Sequence, residues 1–360
     1  MRQFLSIAVA MVAGIAASAN AHTVFTTLFI DDVGQGDGTC VRMPQDPDHC
    51  TSPIGDITGS DMACGVDGQK AAALICPAPA GGNLVFQFRE WANAQEPGSI
   101  DESHKGPCAI YAKQVQDMAN DMAAGPGWIK LWDEGYDATT KKWCTEKLID
   151  NNGLLSFKIP EGLPAGYYLF RPELLALHEA TKGDPQFYVG CAQVFVQSSN
   201  TAALNVPTDR NVSIPGHVSR NNAGLTFNIY APSFPYPLPG PEVFTVPPPR
   251  DGSSAPTQTQ GVIPSSYIVK NANWVGVEVP DYGTESGCWA ASENCWEQAG
   301  ECYDAAPPTG DAGCRAWEEK CYGIQDACNA GDFRGPPNKG KELTVKEPEL
   351  PASIPPPVNI

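Results

Sequence analysis

Of five histidines in 360 residues, three stand where residue type and spacing can do chemistry. His22 directly follows Ala19-Asn20-Ala21. That small-x-small triplet closes a segment that begins Met1-Arg2 and runs apolar from Phe4 to Ala17, the layout of a secretory signal peptide cut after Ala21. Such a cut makes His22 the first residue of the mature chain. An N-terminal histidine offers a free amine and its own imidazole Nδ1, which together chelate one metal ion. A second imidazole completes a T-shaped set of three nitrogens. That set suits Cu(II), which favours tetragonal N/O geometry and sits at the top of the affinity order. His104, in Ser103-His104-Lys105-Gly106-Pro107-Cys108, can supply the ring, although alone it reads as a loop histidine. Gln186 and Tyr188 lie in a strand-like stretch ending at Cys191, where period two puts both on one face. The Tyr188 hydroxyl suits an axial metal position, and equally an ordinary half-buried tyrosine. His178 ends Pro172-Glu-Leu-Leu-Ala-Leu-His178, where a lone histidine reads first as a structural group.

Composition limits what these residues can serve. The chain carries 41 carboxylates against 23 Lys and Arg, a net charge of −18, which disfavours nucleic acid and anionic membranes as partners. Hydrophobic residues make up 42%, enough for a packed core. Thirty-five Gly and 34 Pro favour strands, turns and linkers over a helix bundle. After the signal segment no stretch reaches membrane-span length, so a secreted, soluble product is expected. The 13 cysteines then read as disulfides formed in an oxidising space. Asn211-Val212-Ser213 is an N-glycosylation acceptor sequence. Abundant carboxylates on an acidic chain give no support to a paired-carboxylate glycosidase.

Behind residues 1–21 the chain divides into four parts. Residues 22–245 show alternation between turn residues. Leu84, Phe86 and Phe88 share one strand face, Leu225, Phe227 and Ile229 alternate likewise, and Leu154–Pro160 is a further strand. This pattern predicts a mainly β, antiparallel sandwich. A helix is expected over Cys108–Ala123, which is richer in Ala, Met, Lys and Gln. Residues 246–286 read as a Pro/Gly/Ser-rich linker with one docked apolar segment, Tyr267–Val279. In residues 287–330, Cys288, Cys295 and Cys302 recur every seven residues, as do Cys314, Cys321 and Cys328. Each triplet therefore lines one helix face. An antiparallel hairpin around Pro307-Pro308-Thr309-Gly310 would nest Cys302–Cys314, Cys295–Cys321 and Cys288–Cys328. Other pairings stay open, and the spacing is too wide for the usual structural zinc site. Trp289, Trp296 and Tyr303 form their own seven-residue stripe, with core packing the first reading and a sugar-stacking surface the second. Residues 331–360, rich in Pro, Lys and Glu, read as a disordered tail.

Several segments carry a resemblance. They are His22 after the Ala-x-Ala site, Ser103-His-Lys-Gly-Pro107, Leu163-Pro-Ala-Gly-Tyr-Tyr168 and Arg171-Pro-Glu-Leu-Leu-Ala-Leu-His178. Gln186-Phe-Tyr188 with Cys191, and Ile229-Tyr-Ala-Pro232 leading into Pro239-Gly-Pro241, continue it. In order and spacing, residues 22–245 resemble the fungal lytic polysaccharide monooxygenases of auxiliary activity family 9. Many of that family have His where this chain has Pro172, a position read as structural. The resemblance implies an immunoglobulin-like sandwich with a flat face holding one copper per chain. His22 would give its amine and Nδ1, His104 its other ring nitrogen, and Tyr188 the axial group. Gln186 and His178 would flank the metal and hydrogen-bond bound oxygen species. The implied activity is oxidative cleavage of a β-1,4-linked polysaccharide, cellulose foremost, at C-1 and/or C-4. It would use O2 or H2O2 and an external electron donor, in a secreted monomer. Tyr236, in Ser233-Phe-Pro-Tyr236, occupies a place where relatives offer a sugar-stacking aromatic. By the same analogy Cys64 bridges Cys191. Cys108 and Cys144 can pair too, and Cys40–Cys76 is chosen from the odd remainder, leaving Cys50 free or modified.

Two rivals stand beside this reading. One is a secreted copper-binding or cell-wall glycan-binding protein without cleavage activity, against which the full Gln186, Tyr188 and His178 set argues. The other makes the C-terminal hairpin a carbohydrate-binding module with the sandwich as its carrier.

Overall fold

The computed structural model describes residues 22–249, 255–345, 348, 351 and 353–358, so the signal segment lies outside them. The strands are β1 (Val24–Ile30), β2 (Val33–Asp37), β3 (Val41–Arg42), β4 (Cys76–Pro79), β5 (Asn83–Arg89), β6 (Cys108–Val115), β7 (Gly125–Glu134) and β8 (Tyr136–Asp137). They continue as β9 (Lys142–Trp143), β10 (Leu154–Lys158), β11 (Gly166–Ala176), β12 (Gln186–Val189), β13 (Cys191–Gln197), β14 (Val212–Ile214), β15 (Tyr267–Asn271) and β16 (Trp274–Val277). The helices are α1 (Asp61–Cys64), α2 (Cys144–Asp150), α3 (Glu285–Ala305) and α4 (Ala312–Asn329).

The expected sandwich is present. One sheet runs β10-β5-β1-β2, and a larger one runs β14-β7-β6-β11-β13-β3, with β12 beside β11 and β4 parallel to β13. Leu84, Phe86 and Phe88 alternate inward from β5 and meet Leu28, Ile110, Phe157 and Phe170 between the sheets. Each fully buried aliphatic or aromatic side chain there contributes about 1.5–3 kcal/mol. The larger sheet is covered on its outer face as well, where Tyr111, Trp128, Leu169, Phe187 and Phe195 pack under long loops.

That double coverage corrects two local expectations. Cys108–Ala123 is not a helix: its first part is β6, hydrogen-bonded between β7 and β11. Ile110 and Ala112 face the core, while Ala109 and Tyr111 face the outer cluster. Burial on both sides overrides the helix preference of its Ala, Lys and Gln. The remainder, from Gln116, is a turn whose amides at Gln116 and Asp117 are capped by the Asp121 carboxylate. Leu225–Ile229 is a loop, with Leu225 N closing a turn on Asn222 O. Its Leu225 and Phe227 are buried all the same.

The C-terminal cysteines bond as Cys288–Cys328, Cys295–Cys321 and Cys302–Cys314 between α3 and α4. The apolar segment in the linker is the β15–β16 ribbon, and it packs Trp274 against Trp317 of α4 at a centroid distance of 5.8 Å. Asn273, at its tip, accepts from Cys40 N and donates to Gly38 O and Val41 O, which fastens the ribbon to the sandwich. Within the tail, read from sequence as disordered, some of the described residues have contacts with the rest of the chain. Phe333, Leu343 and Val345 pack on the hairpin, and Val358 N donates to Ser156 O at 2.9 Å. Apolar side chains spaced among the prolines supply these contacts.

Cys40–Cys76, Cys64–Cys191 and Cys108–Cys144 tie the sandwich, and Cys50 is a buried free thiol. Cys64–Cys191 closes 127 residues, whereas Cys302–Cys314 closes 12. On chain entropy the longer loop is worth about 2 kcal/mol more. In thermal unfolding, Cys64→Ser/Cys191→Ser should therefore lose more stability than Cys302→Ser/Cys314→Ser. The reverse order would show that native packing, not loop length, sets the effect.

Candidate copper site

The site forms at one end of the sandwich and draws on both sheets. His22 lies two residues before the start of β1, held where Thr23 N donates to Thr51 O and Thr23 Oγ1 to Arg89 O. The other residues come from around β11. In the register of β11 with β12, Leu174 pairs with Tyr188 and Ala176 with Gln186, and His178 follows at the end of β11. His104 lies in the loop entering β6. Leu175 N donates to Pro107 O at 3.1 Å and Leu177 N to Lys105 O at 3.0 Å, so this loop extends the sheet. Gly106 is required there: a Cβ would stand 1.8 Å from Leu175 O. Thr145 Oγ1 accepts from Gly106 N, and Cys108–Cys144 closes the junction from the other side.

Three rings surround a common centre. His22 and His104 have centroids 6.2 Å apart with planes at 79°, and Tyr188 lies 6.0 Å from the first and 5.9 Å from the second. Two imidazoles each bonding one ion at about 2 Å would need a gap of this size. His104 is buried, and its Nε2 has no hydrogen-bond partner. A buried imidazole nitrogen left unpaired is costly, and a metal is the partner that fits. Its Nδ1 lies 3.2 Å from Ser103 Oγ. Among the described residues no group of three or more His, Cys, Asp or Glu side chains is placed to hold a metal ion.

The protonation states also fit. Burial and the nearby His178 lower His22, and burial with His178 and His22 pushes His104 down to about 4 against the pull of Asp101. Burial lowers His178 too, despite Glu179 and Asp184. Neutral rings keep a lone pair for metal. Burial, with Asp184, raises the Tyr188 phenol, so it keeps its proton and donates to Gln186 Oε1 at 2.9 Å. His178 packs its ring 4.1 Å from that of His104, and its buried Nδ1 is also unpartnered.

Comparison with known proteins decides the family. Residues 22–236 match the model of Auxiliary Activity family 9, formerly GH61. The chain belongs to this family. It is 50% identical to AA9 family lytic polysaccharide monooxygenase C of Aspergillus tamarii, over 92% of this chain and 91% of that one. It is 49% identical to monooxygenase H of Botryotinia fuckeliana, over 89% and 75%. Among solved structures, CvAA9A aligns with a TM-score of 0.55 at 32% identity, covering 62% of this chain and 98% of that one. A cellulose-active polysaccharide monooxygenase from M. thermophila aligns at 0.51 and 29%, covering 62% and 99%. The protein is thus a lytic polysaccharide monooxygenase, of a copper-dependent, secreted fungal family that cleaves polysaccharide oxidatively with an external reductant. None of the helices among the described residues is long and apolar enough to cross a membrane.

One site expectation for this monooxygenase fails. Tyr236 is buried, not offered to a sugar. Its ring meets Trp143 and Phe227 edge-on at 5.0 Å each, and its hydroxyl donates to Gly224 O at 2.8 Å. An apolar cage plus a waiting carbonyl satisfies both ends of a tyrosine. Two neighbouring aromatics, not singled out from sequence, are exposed instead. Tyr230 is 71% exposed and its hydroxyl donates to the backbone O of His178 at 3.3 Å. Phe234 stacks on Tyr136 at 4.1 Å. Only loop geometry distinguishes Tyr230 from Tyr236, so period and composition gave no signal for it. Asn211 is exposed at the start of β14, with Oδ1 accepting from Gly127 N.

Under the site lies a buried ionic cluster. Arg171 Nη1 donates to Glu173 Oε2 at 2.6 Å, and His217 Nε2 lies 3.5 Å from the same oxygen. Burial pushes the Glu173 carboxyl up, but Arg171 and His217 prevail and hold it down at about 2. The unfolded chain takes that proton near 4.5, so the stabilisation is complete above pH 4.5 and is lost as pH falls towards 2. Glu173→Gln leaves Arg171 buried without its anion and should cost about 3–5 kcal/mol at pH 7. It should also flatten the acid limb of thermal stability against pH. An acid limb as steep as that of the wild type would refute the assignment.

Proposed function

We propose that this monooxygenase cleaves β-1,4-linked glucan, cellulose foremost, at C-1 and/or C-4, using O2 or H2O2 and an external electron donor. The observation that carries the site assignment is the ring triad of His22, His104 and Tyr188 around the unpaired buried Nε2 of His104. Signal cleavage after Ala21 would free the His22 amine. That amine, His22 Nδ1 and His104 Nε2 would hold one copper, with the Tyr188 hydroxyl close by. When bound, copper supplies one-electron redox chemistry towards O2 or H2O2.

The chain's own residues do the rest. The backbone around His104 is held by the pairing of Lys105 and Pro107 to β11, and its buried ring packs on His178 with Nδ1 3.2 Å from Ser103 Oγ. Tyr188 keeps its proton and is fixed by Gln186, which holds an uncharged hydroxyl at the site. Gln186 Nε2 reaches Asp184 Oδ2 only at 3.3 Å, a long bond that leaves the amide ready to donate elsewhere. His178 adds a second imidazole edge beside His104. Gln186 and His178 would orient the oxidant by hydrogen bonding, the role also expected for them from sequence. Tyr230, beside His178, would stack on a glucosyl ring and set its distance from the site.

Electron paramagnetic resonance on the processed protein with one equivalent of Cu(II) should give a type 2 signal with nitrogen couplings. His22→Ala should lose nanomolar Cu(II) binding, and an added glycine before His22 should do nearly the same by displacing the amine. Tight binding retained in either variant would sink the assignment. Separately, Tyr230→Ala should cut turnover on cellulose about tenfold with the copper signal intact. Tyr236→Ala should instead destabilise the fold by about 3–5 kcal/mol. If Tyr236→Ala lowers turnover at unchanged stability, the sugar platform is Tyr236 after all.

A further inference from the structure

Outside the copper end, the α3–α4 hairpin carries an aromatic face that its own packing leaves partly exposed. The helices are antiparallel and their cysteine triplets face each other. The residue after each cysteine therefore turns to the same side in both helices. Trp289, Trp296 and Tyr303 of α3 come to lie beside Asn329, Tyr322 and Arg315 of α4. The contacts agree: Trp296 meets Tyr322 at a centroid distance of 4.9 Å, and Tyr303 Oη donates to Glu318 Oε2 at 2.8 Å. Trp317, which points to the other side, is buried under the β15–β16 ribbon and donates to Cys295 O. The core reading of the stripe therefore fails for most of it. Trp289 and Tyr303 are each 39% exposed and Tyr322 is 52% exposed.

We infer that this face is a second, non-catalytic binding site for a neutral β-1,4-linked glycan chain. Three observations favour that occupant. The first is period. Seven residues of helix advance about 10.5 Å, close to the two-sugar repeat of an extended β-1,4-linked chain, so successive rings meet equivalent sugar faces. The second is charge. From Glu285 to Asn329 there are nine carboxylates and only two cations, Arg315 and Lys320. That repels nucleic acid, anionic membranes and acidic glycans, but not an uncharged polymer whose ring C–H faces stack on aromatics. The third is clearance. Gly300 lies four residues after Trp296 and three before Tyr303, inside α3, and a Cβ there would meet nothing within 4 Å. Glycine sacrifices helix propensity at this point for no packing reason, and it leaves the space between the two rings open. Three disulfides hold the rings in place, so little order is lost on binding.

The site is also suitably placed. The loop at the closed end of the hairpin, Thr309–Ala312, lines one cavity with Gly36, Asp37, Asn93 and Ala94 of the sandwich. Asn93 and Ala94 follow β5 at the end where Arg89 pairs with Val24, beside His22.

The test uses the full-length, copper-loaded protein without reductant, with microcrystalline cellulose as the probe. Trp289→Ala/Trp296→Ala/Tyr322→Ala should lower the partition onto cellulose by about tenfold. Turnover of soluble cellohexaose and the copper resonance should stay as in the wild type. Unchanged adsorption overturns the inference, whatever else the face then proves to hold. If the triple variant unfolds early, Trp289→Ala alone, on an exposed ring, should still weaken adsorption a few-fold, and no change there overturns it equally. His22→Ala separates this claim from the copper assignment. It should keep adsorption through the hairpin even without copper, and loss of adsorption in that variant would place binding on the sandwich instead.

Discussion

Everything at the copper end depends on one close approach, that of Gly106 to the carbonyl of Leu175. The loop carrying His104 can hydrogen-bond along β11 only because no side chain stands between them. That contact sets the imidazole of His104 on that of His178, and the β11–β12 register then aligns Tyr188 and Gln186. His22 arrives from the other sheet, so the spacing between sheets fixes the last dimension. A histidine pair drawn from two sheets is rigid only if the sandwich is rigid. The core aromatics, Phe25, Phe86 and Phe88 among them, thus hold the spacing of His22 and His104 as well as adding stability.

The chemistry of the site was more legible in the sequence than its surroundings. His22 stood out because a cleavage signal and a histidine coincide, and Gln186 with Tyr188 because period two is a reliable geometric rule. The heptad spacing put each cysteine triplet on one helix face and offered the nested ladder as one of several pairings, and the hairpin bonds in that way. What failed were judgements that depend on distant neighbours. The preferences of Cys108–Ala123 are helical, but β7 and β11 take its backbone and bury both faces. Leu225, Phe227 and Ile229 alternate without a partner strand. Tyr236 looked exposed in a Pro-rich loop, and only the folded positions of Trp143, Phe227 and Gly224 reveal its cage. The stripe of Trp289, Trp296 and Tyr303 read first as core because period alone cannot tell which side of a hairpin the β15–β16 ribbon will cover.

The acidic composition has a consistent place in this arrangement. Carboxylates are spread across the surface, while the copper end gathers uncharged imidazoles, a protonated phenol and an amide. Buried charge is held in pairs: Arg171 with Glu173 beside His217, Lys130 with Asp133, and Arg89 with Asp37 on the strand next to His22. The protein's net charge keeps chains apart in solution.

Asn273 joins the β15–β16 ribbon to the sandwich. Its side chain satisfies three backbone groups of the turn before β3, so the ribbon and hairpin are clamped to the sandwich by polar contacts that flexible spacers lack. A tethered appendage sweeps a sphere whose radius grows with its linker, and its anchor point can lie anywhere within it. A clamped one works like a caliper. The separation between its two jaws is set once by folding, so wherever the appendage grips a fibre, the reactive end addresses the same offset along it.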